Sequence, residues 1–68
     1  MNLWETLKNV SAGTRMKVTL IDKMILEGTY DAYIKALDND PEIASIDLRT
    51  GDSIYGLYET EIEKIELI

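Results

Sequence analysis

The sequence contains no cysteine and no histidine, and it has a single proline. Without cysteine there are no disulfides and no thiolate metal sites. Without histidine the chain lacks the commonest metal ligand and the commonest general base. The 68 residues make one domain, and at this size folding removes only about 60 % of the surface from water. Because such a monomer is only marginally stable, we expect it to be stabilised by oligomerisation.

Basic side chains are also scarce. Thirteen acidic residues against seven basic ones give a formal net charge of −6. Affinity for nucleic acid comes largely from Lys and Arg that neutralise phosphates, so the overall charge opposes RNA as a partner. No stretch approaches the roughly 20 apolar residues of a membrane span, and the N-terminus has no apolar h-region of a signal peptide. We therefore expect no membrane partner and, by default, a cytoplasmic location.

The first thirteen residues predict a short helix with its caps. Asn2 is a favourable N-cap residue. Leu3, Leu7 and Val10 then fall on one helical stripe, which would dock against the rest of the chain. Gly13 is predicted to supply the C-terminal cap. A helix this short must dock in order to persist.

From residue 15 onward apolar residues alternate with polar ones, which predicts β-strands. The segment 38–42 contains the only proline and is the clearest loop. One helix followed by five short antiparallel strands predicts a mainly β fold. The expected domain spans residues 1–68, with a strongly bent, five-stranded barrel of the SH3-like kind over 15–68. The predicted strands lie near 16–20, 24–30, 44–48, 53–58 and 62–68.

Two glycines are predicted to have structural roles. Gly28 lies in mid-strand, where a glycine weakens a sheet unless a ligand approaches closely or the strand bends strongly. Strong curvature in a small barrel is the favoured explanation. Gly51 lies in a tight hairpin turn, where it would adopt a positive φ.

The strand region carries a longer pattern. Three alternating apolar residues lead to an aspartate, a glycine follows six positions later, and a second apolar stretch comes near the C-terminus. The residues concerned are Met16, Val18, Leu20, Asp22 and Gly28, then the stretch 57–62 and Ile65. This pattern resembles the two halves of the Sm-like (LSm) motif. The resemblance implies a small barrel that assembles into rings and, in many family members, binds RNA.

The uridine-binding pocket of that family is not reproduced here. The family uses an aspartate, a stacking side chain and an asparagine after the second strand, then an arginine and a glycine before the last strand. The corresponding residues here are Ile34, Ala36, Asp38, Tyr58 and Glu59. Asn39 lies one position beyond the family's asparagine, and Tyr58 could stack a base. Asp38, Asn39, Tyr58 and Glu59 are therefore the candidate ligand-binding residues.

Ring assembly has a predicted surface. Family members close rings by pairing the fourth strand of one subunit with the fifth strand of the next. The resemblance implies a ring of about five to seven copies, and closure would leave no free sheet edge. The aliphatic residues expected at this interface are Ile54, Leu57, Ile62, Ile65 and Leu67.

The acidic loop offers only weak candidates for a metal site. Asp38, Asp40 and Glu42 alternate as at the start of an EF-hand. An EF-hand would need Gly at its sixth position and Glu at its twelfth, where this chain has Ile43 and Arg49. In a ring, such loops would line the pore with carboxylates and could bind a divalent cation or a basic segment of a partner protein. A solvated acidic loop is the favoured interpretation.

Aromatic side chains could form a base-stacking platform, but such platforms are normally interleaved with Lys and Arg. Only Lys35 lies near them in the sequence, so packing within the core or an interface is the favoured role. Tyr58 is retained as a possible ligand contact. The aromatic residues are Trp4, Tyr30, Tyr33, Tyr55 and Tyr58.

Catalysis has little support in the sequence. The serines have no histidine to activate them, and neither a glycine-rich phosphate loop nor a nucleophile elbow is present. We expect no enzyme and no cofactor. The favoured function is a non-catalytic, ring-forming binding or scaffold module with acidic pore loops. The alternatives are an RNA-binding protein with a degenerate uridine pocket and a carboxylate-lined ring that binds a divalent cation.

Overall fold

A computed structural model describes all 68 residues as a single five-stranded antiparallel sheet with one short α-helix. The strands follow the spatial order β4-β3-β2-β1-β5, so β1 and β5 are neighbours although they are distant in sequence. Two short 3₁₀ turns, Ala36–Asp38 and Glu59–Glu61, interrupt the connections. The elements are α1 (Leu3–Leu7), β1 (Arg15–Leu20), β2 (Ile25–Ile34), β3 (Ser45–Thr50), β4 (Ser53–Tyr58) and β5 (Ile62–Leu67).

The helix begins as predicted but ends early. The Oδ1 atom of Asn2 accepts a hydrogen bond of 3.1 Å from the Glu5 amide, which confirms Asn2 as the N-cap. Helix α1 then ends at Leu7, and the Val10 amide already bonds to the Leu7 carbonyl across a tighter turn. Residues 9–11 (Asn-Val-Ser) are weak helix formers, which fits this early end.

Gly13 has a different role from the predicted helix cap. It has a positive φ of 96°, but it lies several residues beyond the end of α1. Its amide donates a 2.8 Å hydrogen bond to the Tyr30 carbonyl, and the Tyr30 amide donates to the Thr14 carbonyl at 2.8 Å. The glycine therefore turns the chain into β1 and starts its alignment with β2.

The strands lie close to their predicted positions. Strand β4 has the predicted bounds, and Gly51 has a φ of 62° in the two-residue turn between β3 and β4. Strand β2 is longer than predicted and runs to Ile34. The pairing between β2 and β3 shifts register between Tyr30 and Ala32, which marks a bulge. A bulge lets a long strand bend over the core.

Gly28 is required by a close approach between strands. A Cβ atom at this position would lie 2.3 Å from the backbone oxygen of Arg49 and 2.9 Å from Cγ2 of Thr50. Both of these residues belong to β3, which pairs with β2. Gly28 therefore accommodates a close approach, and the group that approaches it is the chain's own backbone.

The core lies between the sheet and helix α1, which contributes Leu3 and Leu7. Each fully buried aliphatic side chain contributes about 1.5–3 kcal/mol to folding. Leu57 and Ile62, which the sequence assigned to an oligomer interface, are core residues of the single chain. The other buried apolar residues are Met16, Val18, Tyr30, Ala44, Ile46 and Leu48.

The sheet is open between its two outer strands. Strand β4 pairs only with β3, and β5 pairs only with β1, so the predicted closed barrel is not closed by hydrogen bonds within one chain. The fold is mainly β, with one short helix and a five-stranded antiparallel sheet. The five-residue α1 is the only α-helix, and it is far too short to cross a bilayer.

Candidate binding surfaces

The four predicted ligand-binding residues do not share one pocket. Asp38 lines a cleft beside helix α1, whereas Asn39 and Tyr58 line another cleft next to β4. Glu59 lines neither cleft and instead makes a structural contact with α1. The four residues therefore do not form one binding site within a single chain.

Asn39 organises the loop between β2 and β3. Its Nδ2 atom donates one hydrogen bond of 2.6 Å to the Ile43 carbonyl and another of 2.9 Å to Oγ of Ser45. Ser45 is buried at the start of β3, so its hydroxyl needs a partner within the protein. Both amide hydrogens of Asn39 thus serve the loop, and only its carbonyl oxygen is left for a ligand.

The turn between β4 and β5 is fixed by two glutamates. The Glu59 carboxylate accepts a 2.7 Å hydrogen bond from the Leu3 amide, and the Glu59 amide donates to the Ala44 carbonyl at 2.8 Å. The Glu61 carboxylate accepts a 2.9 Å hydrogen bond from the Tyr58 amide. These carboxylates stabilise the turn and the helix, which is a structural role that the sequence did not reveal.

The β4 cleft is a small depression of about 270 Å³ between β4 and the loop after β2. It brings together Asn39 and Tyr58, the two predicted ligand residues that the structure places side by side. Gly56 leaves a gap in the outer strand, with the Asp47 carboxylate behind it. The cleft contains no basic side chain. Its full lining is Ile34, Asn39, Ser45, Asp47, Gly56 and Tyr58.

The aromatic cleft is a larger depression of about 420 Å³ lined by Trp4, Tyr33, Lys35 and Asp38. The rings of Trp4 and Tyr33 have centroids 5.4 Å apart and planes inclined by 51°, which is a favourable tilted contact. Helix α1 positions Trp4, because burial of its neighbour Leu3 holds the helix against the sheet. The sequence indicated only that Lys35 lies near aromatic residues, and it did not pair Trp4 with Tyr33.

A third depression, of about 620 Å³, lies on the outer face of β1, β2 and β5 and contains three lysines. Two glutamates of the depression offset two of these three charges. Lys23 pairs with Glu63, whereas Lys17 and Lys64 approach Glu66 at 3.9 and 3.4 Å. All of these side chains are exposed, and such pairs contribute little to stability. This surface therefore keeps one positive charge in excess, but each of its lysines already has a carboxylate partner, so it offers no unpaired cation to an anion.

The acidic loop does not form a metal site in the single chain. The structure gathers no group of three or more aspartates and glutamates that could hold an ion. Asp38, Asp40 and Glu42 are exposed and do not form such a group. The weak metal candidates of the sequence are therefore not brought together within one chain.

The outer strands carry exposed apolar side chains. Ile54, Tyr55 and Leu67 are each exposed by between two-fifths and three-fifths of their surface, and Ile65 is half-buried. Of the predicted interface residues, Ile54, Ile65 and Leu67 are thus accessible, whereas Leu57 and Ile62 are used by the core. Apolar contact area and an unpaired backbone edge coincide at both ends of the sheet.

Comparison with protein-family models gave no match, and neither the curated proteins nor the solved structures contained a significant match to this chain.

Proposed function

We propose that this chain is a non-catalytic, Sm-like module that assembles into a homo-oligomeric ring and acts as a binding or scaffold protein. The observation that carries the proposal is the pair of open edges at β4 and β5, each with exposed apolar side chains. An unpaired strand edge is a template for pairing with another chain, and natural proteins rarely leave one uncovered. The resemblance of the strand pattern to the Sm-like motif supports the same assembly.

The two edges suit each other. Strands β4 and β5 have six residues each, so β4 of one copy could pair with β5 of the next along its whole length. Such head-to-tail contacts close into a ring when the rotation between copies is regular. Pairing would cover Ile54 on one side and Leu67 on the other, both of which are exposed in the single chain. The resemblance to the Sm-like family implies about five to seven copies in the ring, and closure of the barrel-like sheet would then occur between subunits.

Charge favours a basic protein segment as the partner of this ring. Each copy contributes a net charge of −6, so the field of the assembly grows with the number of subunits. A strongly acidic ring disfavours long polyanions such as RNA, whose affinity depends on many phosphate contacts, and attracts Lys- and Arg-rich segments. The acidic loop after β2 would then lie near the pore, and the ring would be cytoplasmic.

The assembly is tested by light scattering coupled to gel filtration. The wild-type chain should give one discrete mass, a multiple of 7.7 kDa, that stays constant across micromolar concentrations. Ile54→Lys should shift the mass to that of a monomer, because it places a charge in the proposed interface. Its circular dichroism should be unchanged, since Ile54 is already half exposed in the single chain.

Met24→Lys is the matched control. Met24 is 56 % exposed, against 50 % for Ile54, but it lies in the turn between β1 and β2 and not on an open edge. This variant should retain the wild-type mass. A monomeric wild-type chain at micromolar concentration would refute the proposal. So would an Ile54→Lys variant that assembles as well as the Met24→Lys variant.

RNA binding is the second candidate, and the β4 cleft is the observation that favours it. There Tyr58 offers a ring for base stacking beside the Asn39 side chain. Fluorescence anisotropy with oligo-U and oligo-A at two salt concentrations tests this function. Tight binding that weakens with salt and is lost in Tyr58→Ala would favour RNA over a protein partner.

A further inference from the structure

Lys35 is one of the two basic side chains, with Arg15, that form no ion pair in this acidic chain. Five of the seven basic side chains form ion pairs with carboxylates, although most of these pairs are loose and exposed. Lys35 is not among them, even though acidic residues outnumber basic ones almost two to one. Asp38 lines the same cleft and does not pair with it. The aromatic cleft therefore presents one free positive charge and one free negative charge.

The aromatic wall of this cleft is not explained by folding alone. Trp4 is 52 % exposed, and α1 is held to the sheet by Leu3 and Leu7, both of which are buried. The tilted contact with Tyr33 keeps the Trp4 ring against β2 while leaving much of its surface accessible. The result is an exposed aromatic face next to a cation and a hydrogen-bond acceptor.

We propose that the aromatic cleft binds a nucleotide, with guanine as the favoured base. The base stacks on Trp4, the phosphate pairs with Lys35, and the Asp38 carboxylate accepts hydrogen bonds from the base. Guanine presents two adjacent N–H donors on its Watson–Crick edge, which match the two oxygens of one carboxylate. Uracil presents a single N–H between two carbonyl oxygens, which a carboxylate repels.

The open shape of the cleft favours this ligand over an aromatic amino acid. Small metabolites are usually bound in cavities that bury 70–90 % of their surface, whereas stacking of a base needs only one accessible ring face. Lys35 and Asp38 are both exposed, so the cleft offers a platform and not an enclosed pocket. The nucleotide could be free or could belong to a single strand. The inference goes beyond the proposed ring, because all four residues belong to one chain.

Trp4 is the only tryptophan, so intrinsic fluorescence reports directly on this cleft. The full chain is titrated with GMP, AMP and UMP, with free N-acetyltryptophanamide as the correction for light absorbed by the nucleotides. We expect saturable quenching by GMP and about tenfold weaker binding of UMP. A short guanine-containing RNA oligonucleotide forms a second arm. Tighter binding of the oligonucleotide than of GMP would identify a strand as the source of the nucleotide.

Three variants distinguish specific binding in the aromatic cleft from nonspecific quenching of the Trp4 fluorescence. Lys35→Gln should weaken GMP binding by about tenfold, and Asp38→Asn should remove the preference for GMP over UMP. Lys23→Gln, in an exposed lysine outside the cleft, is the control and should bind as the wild type does. All three positions are exposed, so each variant should fold.

Several outcomes would overturn the proposal. These are the absence of saturable quenching at millimolar nucleotide, equal effects of Lys35→Gln and Lys23→Gln, and saturation by free tryptophan or phenylalanine but not by GMP. Ring assembly is tested separately, by the mass of the oligomer in solution. A monomer that still binds GMP would refute the assembly and support this site.

Discussion

The Leu3 amide donates a hydrogen bond of 2.7 Å to Oε2 of Glu59, across 56 positions of sequence. Leu3 is the first residue of α1, where backbone amides have no acceptor within the helix, and its side chain is fully buried. Glu59 begins the turn between β4 and β5. One carboxylate thus connects the N-terminal helix to the C-terminal end of the sheet.

Replacing Glu59 should therefore destabilise the whole chain. Glu59→Ala leaves a partly buried amide without its acceptor, and we expect a loss of about 1–3 kcal/mol in the free energy of unfolding. Glu59→Gln keeps an acceptor oxygen and should lose less. Urea denaturation followed by circular dichroism measures both. Glu27→Ala, at an exposed site on β2, is the control and should change stability by less than about 0.5 kcal/mol. Equal effects at the two glutamates would contradict the role of Glu59.

The close approach of the Arg49 backbone to Gly28 leads to a second prediction. Gly28→Ala would place Cβ 2.3 Å from the Arg49 backbone oxygen, and neither strand can move without loss of pairing. We expect a loss of about 3 kcal/mol or more, measured by thermal unfolding. Gly56→Ala is the matched control, because its nearest neighbour, Oδ1 of Asp47, would lie at an ordinary 3.8 Å. A Gly28→Ala variant as stable as Gly56→Ala would show that the strands can separate at low cost.

The strands could be predicted from sequence because their signal is local. Alternation of apolar and polar residues places β1, and the short turn at Gly51, where φ is positive, marks the start of β4 at Ser53. The helix end could not be predicted, because the apolar stripe continues to Val10 after the helix has ended at Leu7. Val10 contacts the core from a turn. An apolar residue at helical spacing shows that the side chain is covered, but not that the backbone there is helical.

The binding surfaces were harder to predict because they depend on distant contacts. The sequence does not say which apolar side chains the chain buries itself, so it predicts Leu57 and Ile62 at an interface although they complete the core. Asn39 and Glu59 are predicted ligand-binding residues only because they align with or lie next to ligand-binding positions of the Sm-like family. In the structure both satisfy backbone groups, which depend on the path of loops. The contact between Trp4 and Tyr33 has no signature in the sequence at all.

The Asn39 side chain leads to a third prediction, on the loop between β2 and β3. Asn39→Asp preserves the shape but replaces two donated hydrogens with a second acceptor oxygen, facing the Ile43 carbonyl and the Ser45 hydroxyl. We expect a loss of about 1–3 kcal/mol, together with faster amide exchange in this loop. Asp40→Asn, one residue along and exposed, is the control for the change in charge. Unchanged exchange in Asn39→Asp would mean that the two hydrogen bonds do not hold the loop.

Ionisation of the Tyr30 phenol should lower the stability of the fold at alkaline pH. Burial raises the pKa of its phenol above the ordinary value of 10.0, and the neighbouring Tyr33 phenol raises it further. The side chain is only 7 % exposed. Because the folded state holds this proton more tightly than the unfolded chain does, the unfolded chain loses it first as the pH rises. The contribution of Tyr30 to the free energy of unfolding is therefore fully present below about pH 10 and is lost as the pH rises beyond it.

Tyr30→Phe should remove this component of the pH dependence, because phenylalanine has no proton to lose. Urea midpoints measured from about pH 8 to 11 should fall less steeply above pH 10 in this variant than in the wild type. Tyr55→Phe removes a phenol that is 44 % exposed and should leave the slope of the wild type unchanged. If Tyr30→Phe loses stability with pH as steeply as Tyr55→Phe, the alkaline sensitivity arises elsewhere. If its slope alone is flattened, proton release from the core tyrosine is what opposes folding at high pH.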